Sequence, residues 1–265
     1  MATVTNDQPT RQMEITLHNV STGYGRRVVA RGLQATLSAG TLTCLLGSNG
    51  AGKSTLLRTI GGFQPALGGE VLVDGHPVSS LSAGQMSRLM SVVLTERIDV
   101  PGLTVRDLVA MGRAPYTGFW GVLDADDHRM VQEAMQQVGI GALASRQVRS
   151  LSDGERQKAV IAKALAQHTP VILLDEPTAF LDFPSKVDTL RLLSRLAHQM
   201  HKAVLLSTHD VQLALQLGDC LWLLDSEGLS VGTPRALAAD GTIARFFACQ
   251  GVEFTPATLS FRITQ

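Results

Sequence analysis

The chain has 265 residues, of which 45% are hydrophobic and 17% charged, so the composition permits a sizeable α/β core and excludes a wholly disordered protein. Lysine plus arginine number 23, as do aspartate plus glutamate, and this zero net charge argues against a protein held to nucleic acid mainly by phosphate contacts. Three dispersed cysteines, Cys44, Cys220 and Cys249, argue against a disulfide framework and a clustered zinc site.

The N-terminal third predicts two kinds of strand. Apolar and polar residues alternate around Ile15 and again around Leu33, which is typical of antiparallel strands with one solvent-exposed face. Residues 42–46 and 90–94 are instead nearly all apolar, as strands buried on both faces should be. A glycine-rich stretch follows the first of these apolar runs, and a helix is predicted over 53–60.

The middle of the chain predicts helices only. Thr104 and Asp124 each stand three residues before an aspartate and ahead of apolar residues at helical spacing, which is the pattern of a capped amphipathic helix. A third helix is predicted over 153–167. Residues 97–167 are therefore interpreted as a helical insert.

After the insert, strands and helices alternate again. Short apolar runs at 171–174, 203–206 and 221–224 predict buried strands separated by helices. The tail alternates once more around Phe261, which predicts a final strand. Together these patterns predict one α/β core with an antiparallel β layer and a helical insert.

Residues 47–55 match the phosphate-loop pattern G-x-x-x-x-G-K-[ST] at every fixed position. Glycines let the backbone curl so that N–H groups point at a phosphate, and the following helix adds its N-terminal dipole. Lys53 offers a charge to the β- and γ-phosphates, and the Ser54 hydroxyl can bind Mg²⁺. The alternative is a glycine-rich turn that precedes a lysine by chance, which the flanking strand and helix disfavour. The candidate nucleotide-binding residues are Gly47, Ser48, Asn49, Gly50, Ala51, Gly52, Lys53, Ser54 and Thr55.

Two carboxylates, Asp175 and Glu176, end the predicted buried strand at 171–174. Ligands of α/β sheets collect at the carboxyl ends of the strands. Asp175 is placed to hold Mg²⁺, and Glu176 could polarise an attacking water. The alternative is a solvent-exposed strand end that happens to carry two acidic residues. The presence of a phosphate loop in the same chain disfavours it.

Residues 151–155, Leu-Ser-Asp-Gly-Glu, open the third helix of the insert. Taken alone, a serine cap with acidic residues in the first turn is ordinary helix design. In the order phosphate loop, this segment, acidic strand end and lone histidine, it resembles the L-S-G-G-Q signature of the nucleotide-binding subunits of ATP-binding cassette (ABC) transporters. The resemblance covers residues 13–235, and it implies a phosphate-loop NTPase fold that binds ATP and Mg²⁺ and hydrolyses ATP.

The resemblance also implies roles for residues outside the phosphate loop. Tyr24 matches the aromatic residue that stacks on adenine, and residues 179–182 match the loop that crosses the dimer interface. Glu176 matches the catalytic glutamate, and His209 matches the switch histidine that contacts the γ-phosphate. Without the resemblance, a lone histidine in Thr-His-Asp is more simply a capping or packing residue. With Lys53, these two residues form the catalytic set that the resemblance implies.

Glu96 departs from the family pattern, in which a glutamine follows the strand before the insert. A carboxylate can still reach Mg²⁺, and it does so with more charge. Glu96 is therefore a predicted metal ligand together with Ser54 and Asp175.

The signature departs from the family as well, with Asp153 for glycine and Glu155 for glutamine. Ser152 and Gly154, which supply the hydroxyl and the close backbone approach to ATP, are intact, so the resemblance implies that Ser152, Gly154 and Glu155 contact the nucleotide. Asp153 must point away from the phosphate, because two charges about 4 Å apart repel by about 4 kcal/mol at an effective dielectric of about 20.

The resemblance implies a second copy of this chain as a partner, since cassettes pair head to tail with each ATP between one phosphate loop and the other signature. It also implies separate integral-membrane permease subunits and, through them, a substrate-binding protein; no nucleic-acid partner is expected. No run of residues approaches the about 20 apolar residues of a membrane-spanning helix. The polar residues 1–12 lack the apolar stretch of a signal peptide. We expect a cytoplasmic protein, peripheral on the inner face of the membrane, with residues 1–12 disordered and an ABC ATPase domain over 13–265.

Residues 103–116 are similar to a segment of importers of iron-siderophore complexes, haem and cobalamin, through a Thr-Val start and a Gly-Arg-x-Pro element. The tail over 232–265 resembles the extension of that group. An importer ATPase is the leading interpretation, and the ATPase of an efflux system with a separate membrane subunit is the alternative. A soluble ABC ATPase acting on DNA or ribosomes would need a coiled-coil insert, zinc cysteines, two fused cassettes or a basic surface. A nucleotide sensor without turnover would not need Glu176 and His209.

The insert also carries an apolar stretch with few charges, which predicts a docking surface for the permease. The alternative is that these side chains pack into the insert's own core. They are Met111, Pro115, Tyr116, Phe119 and Trp120.

Overall fold

The computed structural model describes residues 13–94, 100–118 and 120–263. The disordered segment predicted at 1–12, the metal ligand predicted at Glu96, the predicted start of the insert at 97, and Phe119 lie outside the described residues. Within the described ranges, no helix combines the length and the apolar character required to cross a bilayer.

The strands and helices follow the predicted order of an α/β core interrupted by helices. The strands are β1 (Glu14–Tyr24), β2 (Arg27–Ser38), β3 (Leu42–Leu46), β4 (Gly68–Val73), β5 (His76–Pro77), β6 (Met90–Val93), β7 (Val171–Leu174), β8 (Ala203–Ser207), β9 (Cys220–Leu224), β10 (Leu229–Gly232), β11 (Val252–Thr255) and β12 (Ser260–Ile263). The helices are α1 (Lys53–Ile60), α2 (Ala83–Leu89), α3 (Val105–Ala110), α4 (Ala125–Gln137), α5 (Asp153–Ala166), α6 (Phe183–Met200), α7 (Val211–Leu217), α8 (Pro234–Ala239) and α9 (Thr242–Phe246).

A six-stranded sheet in the order β10-β9-β3-β8-β7-β6 carries the strand of the phosphate loop near its centre. The strands from β9 to β6 run parallel, and β10 adds an antiparallel edge. Strands β3, β7 and β8 are buried along their whole length, which explains their uninterrupted apolar sequence. Because β7, β8 and β3 are parallel neighbours, the residues that follow each of them meet at one edge of the sheet.

The predicted antiparallel layer is confirmed as a four-stranded sheet in the order β2-β1-β4-β5. Ile15, Leu33 and Val71 of this layer share a core cluster with Leu56 of α1 and Trp222 of β9. The layer therefore packs with α1 against one face of the large sheet. The other face is covered by the insert, α6, α7 and the C-terminal elements.

Helices α3, α4 and α5 form the predicted helical insert between β6 and β7. Each begins with a capping box, in which the cap side chain accepts from a backbone N–H and a carboxylate accepts from the backbone N–H of the cap. The cap residues are Thr104, Asp124 and Ser152.

The Gly-Arg-x-Pro element joins two helices of the insert. Arg113 is buried: its Nε donates to Oδ1 of Asp127 at 2.7 Å, and its Nη1 donates to the carbonyl oxygen of Ala166 at 2.8 Å. A Cβ at Gly112 would lie 2.2 Å from the carbonyl oxygen of Lys163, so the close approach to α5 requires glycine. This element therefore ties α4 to α5, and the charge of Arg113 is not part of the insert's surface.

Candidate nucleotide-hydrolysis site

The phosphate loop runs from the end of β3 to the start of α1. The N-terminus of α1 there has no capping side chain, so its backbone N–H groups can bind an anion. Gly52 caps α1 with φ +104°, and neither a side-chain cap nor an acidic residue occupies the first turn. A Cβ at Gly52 would lie 2.7 Å from Val29 Cγ1, and one at Gly47 would lie 2.6 Å from the carbonyl oxygen of Leu224. Glycines are therefore required at both ends of the loop, and the N–H groups of α1 are left for an anionic ligand.

Lys53 is held inside this loop. Its Nζ donates to the carbonyl oxygens of Gly47 at 2.9 Å and Ser48 at 3.2 Å, and the residue is 6% exposed. Burial lowers the pKa of the Lys53 ammonium, and the carboxylates of Glu176 and Asp175 oppose that shift. Backbone carbonyl oxygens of the phosphate loop thus hold the Lys53 ammonium in place.

Three side chains converge where β7 and β8 end beside α1. Ser54 Oγ donates to Asp175 Oδ1 at 3.0 Å, and Ser207 Oγ donates to the same oxygen at 2.7 Å. The backbone N–H of Glu176 donates to Ser207 Oγ at 2.9 Å. The predicted metal ligands Ser54 and Asp175 are therefore neighbours, and they offer the oxygen ligands that Mg²⁺ prefers.

Ser207 is a member of this network that sequence analysis missed. The sequence showed only a serine directly after the strand predicted over 203–206. The register, in which Leu174 pairs with Leu206, places that hydroxyl level with Asp175. A serine at that end of a buried strand is a candidate to orient the neighbouring carboxylate.

Glu176 and His209 form a direct pair. Glu176 adopts φ +49°, a left-handed conformation that is uncommon for a non-glycine residue. With its Nε2–H tautomer, His209 donates to Glu176 Oε1 at 2.7 Å. Strained backbone of this kind clusters at functional sites, and here it lies between Asp175 at the end of β7 and the histidine after β8.

A cavity of about 310 Å³ joins the phosphate loop to the antiparallel layer. Tyr24 lines it with half of its surface exposed, and its Oη accepts a hydrogen bond from Thr55 Oγ1 at 3.1 Å. Glu176 and Lys53 close the other end. Arg27 also lines the cavity; sequence analysis missed it, although its charge three positions after the aromatic residue was visible. The cavity therefore combines an exposed aromatic ring with two cationic side chains, a combination that suits the base and the phosphates of a nucleotide.

The signature residues lie elsewhere in the described part of this chain. Ser152, Gly154 and Glu155 do not line that cavity. Glu155 Oε2 accepts from the backbone N–H of Ser152 at 2.9 Å and from its hydroxyl at 3.1 Å. Asp153 is paired with Arg156 at 2.8 Å; its orientation away from a phosphate stays a prediction.

Comparisons with known proteins identify the family to which this chain is similar. The sequence pattern of the ABC transporter family matches residues 30–179. The Bacillus subtilis iron(3+)-hydroxamate import ATP-binding protein is 37% identical, over 71% of this chain and 70% of its own length. The Halobacterium salinarum cobalamin import ATP-binding protein is 40% identical, over 88% of this chain and 58% of its own length.

Solved structures show the same fold. An ABC transporter assigned to the metal-chelate type, in an inward-facing conformation, is similar with a TM-score of 0.78 and 26% identity, covering 95% of this chain and 96% of its own. A dimeric bacterial ABC transporter cassette is similar with a TM-score of 0.71 and 25% identity, covering 83% and 98%.

Proposed function

The chain belongs to the ABC transporter family as an ATP-hydrolysing subunit, and from this premise we propose that it energises import of an iron-siderophore complex, haem or cobalamin. The observation that carries the proposal is the phosphate-loop site with its paired Glu176 and His209 in a chain whose relatives are named for import of such ligands. A deletion strain tests it: uptake of a ferric hydroxamate or cobalamin should fall and return with the wild-type gene. Unchanged uptake of these ligands and haem, with loss of an efflux activity, would favour the exporter alternative.

The site residues divide the hydrolysis of ATP between them. The phosphate loop and Lys53 bind the β- and γ-phosphates, and Tyr24 stacks on the base. Glu176 accepts the proton of the attacking water as the bond from the γ-phosphorus to the bridging oxygen breaks, which yields ADP and phosphate. His209 orients the carboxylate of Glu176 through the 2.7 Å hydrogen bond.

We propose Mg²⁺ as the cofactor, held by Ser54 and Asp175. Their oxygens are 3.0 Å apart, so the two residues fit a hard cation that also binds the phosphates. When bound, Mg²⁺ neutralises charge on the β- and γ-phosphates. Ser207 keeps the Asp175 carboxylate oriented toward Ser54.

Changing Glu96 to glutamine is expected to preserve ATPase activity but to raise the Mg²⁺ concentration that gives half the maximal rate. A carboxylate near the metal contributes a full charge that an amide oxygen lacks. Mg²⁺ titrations of steady-state ATPase activity measure the shift, with Glu70→Gln on the exposed side of β4 as the control. Superimposed titrations of the variant and wild type would show that Glu96 does not reach the metal.

We further propose that two copies pair head to tail. One chain places the phosphate loop, Glu176 and Tyr24 on one cavity, while its signature cap at Ser152 is exposed elsewhere. A second copy would supply the missing signature. The dimeric cassette among the similar structures supports this arrangement.

The apolar stretch of the insert is the surface that we propose for the permease, which would bring the subunit to the cytoplasmic face of the membrane. Trp120 is 84% exposed, and Val122 and Met111 are also exposed. Met111 lies in the 3₁₀ turn that follows the end of α3 at Ala110. Tyr116 is also exposed, and its hydroxyl donates to the carbonyl oxygen of Gln167. A substrate-binding protein would act on the outer side of the permease.

Trp120→Ala is expected to weaken assembly with the permease by at least about 30-fold, since a buried aromatic anchor contributes about 2 kcal/mol or more. ATP binding by the isolated subunit should not change. Co-purification from membranes measures assembly, and Val231→Ala, which truncates an exposed apolar residue on β10, is the control. Normal assembly of the Trp120 variant would exclude this surface as the docking site.

A further inference from the structure

The C-terminal hairpin of β11 and β12 is held to the core by an aromatic cluster. Phe254 and Phe261 are paired directly across the hairpin, with ring centroids 5.0 Å apart. Phe261 also meets Phe247 edge to face at 5.4 Å. Such pairs add to the stability gained from apolar burial. The hairpin is therefore fixed on one face, and that face packs on the core cluster that includes α7.

One polar contact joins the hairpin to the segment that carries His209. Gln212, three residues after His209 and in the first turn of α7, donates from Nε2 to the carbonyl oxygen of Leu259 at 3.3 Å. Leu259 presents that carbonyl from φ +49°, a conformation that is a genuine outlier for a bulky residue. The surrounding packing must hold this strain, since such conformations persist only where their neighbours over-determine them.

The same hairpin reaches the hydrolytic pair through a second cavity. This cavity has a volume of about 520 Å³, and Phe261 forms part of its wall together with Glu176, His209 and Gln212. Glu176 thus lies on both cavities, with the phosphate loop on one side and the C-terminal hairpin on the other. Asp210, between His209 and α7, caps that helix and pairs with Lys186 at 3.3 Å.

We propose that the C-terminal hairpin is a positioning element for the Glu176–His209 pair, acting through Phe261 and through the bond from Gln212 to Leu259. The hairpin restricts the start of α7 and with it His209, which lies two residues before that helix. His209 in turn fixes the carboxylate of Glu176, to which it donates. It does not line the nucleotide cavity. The inference rests on the proposed roles of Glu176 and His209. It adds Phe261, Gln212 and Leu259 as residues that affect the rate of ATP hydrolysis but not the binding of ATP.

The test compares kcat with ATP affinity in variants of the full chain. Phe261→Ala is expected to lower kcat roughly tenfold, because displacing a catalytic group by about 1 Å from a distance can cost up to about 10²-fold. The Kd for a fluorescent ATP analogue should stay within about twofold of the wild type. Phe261→Leu, which keeps an apolar side chain against the cavity, should restore most of kcat. Ile263→Ala truncates an 83% exposed residue on the same strand and should change neither quantity.

Unchanged kcat in Phe261→Ala, or parallel losses of kcat and affinity, would overturn the proposal. If Phe261→Ala does not fold, Gln212→Ala decides by the same comparison, since it removes one hydrogen bond and no core side chain. Glu176→Gln is assayed in parallel. Full activity in that variant would refute the proposed role of Glu176, whereas loss of activity there with normal turnover in Phe261→Ala and Gln212→Ala would refute only the role of the hairpin.

Discussion

Replacing Glu176 with glutamine is expected to lower ATP turnover by at least about 10²-fold while ATP binding is retained. Glu176 adjoins Asp175 but is directed to His209 at 2.7 Å, so it can take a proton without holding the metal. Glutamine keeps the shape of the side chain and its contact with the histidine but has no basic oxygen. Nucleotide binding, which depends on the phosphate loop, should therefore survive.

Steady-state phosphate release and equilibrium binding of a fluorescent ATP analogue measure the two effects. Size-exclusion chromatography with Mg-ATP should also show an accumulated dimer, since ATP that is not hydrolysed cannot release it. Glu227→Gln, in the exposed turn between β9 and β10, removes the same charge and should behave as wild type. Turnover of Glu176→Gln within about tenfold of wild type would remove Glu176 from the role of general base.

Lys53→Ala is expected to lose both nucleotide binding and turnover. In the proposed site the ammonium faces the phosphates in the ground state as well as in the transition state. Opposite charges about 4 Å apart attract by about 4 kcal/mol at an effective dielectric of about 20. Loss of even about 1.4 kcal/mol weakens ATP binding about tenfold, so at least this loss of affinity is expected.

The same fluorescent analogue measures the affinity of the Lys53 variant. Arg58→Ala, which removes a positive charge from the last turn of the same helix, controls for helix stability and net charge. An unchanged affinity in Lys53→Ala would show that the backbone N–H groups of the loop bind the phosphates without the ammonium. Lys53 would then act in catalysis alone.

Local signals in the sequence were sufficient for much of this fold. The helix predicted over 53–60 is observed as Lys53–Ile60, because glycines bound it on both sides. The capped helices of the insert were also predicted, since capping residues and apolar spacing agree there. Helix α2 was missed because only Met86 of it is buried and no apolar stripe marks it. Its capping box at Ser82 and Gln85 was the available signal.

Long-range partners were harder to predict, because periodicity gives the face of a strand but not the element that it covers. The alternation around Phe261 predicted a strand correctly, yet nothing local shows that this strand reaches the cavity of His209. The Gly-Arg-x-Pro element was recognised in the sequence, but only the fold shows the bond from Arg113 to Asp127. The phosphate loop and Asp175 were found because their motifs are local, whereas Ser207 needed the strand register.

Specific ATPase activity measured against subunit concentration tests the composite site most directly. If each ATP lies between the phosphate loop of one copy and the signature of the other, activity per subunit must rise with concentration while the dimer is the minor species. Ser152→Ala should lower that activity and still bind ATP at the phosphate loop of the monomer. We predict this concentration dependence together with dimer formation by Glu176→Gln in Mg-ATP. Activity per subunit that stays constant down to concentrations at which only monomer is present would contradict the account.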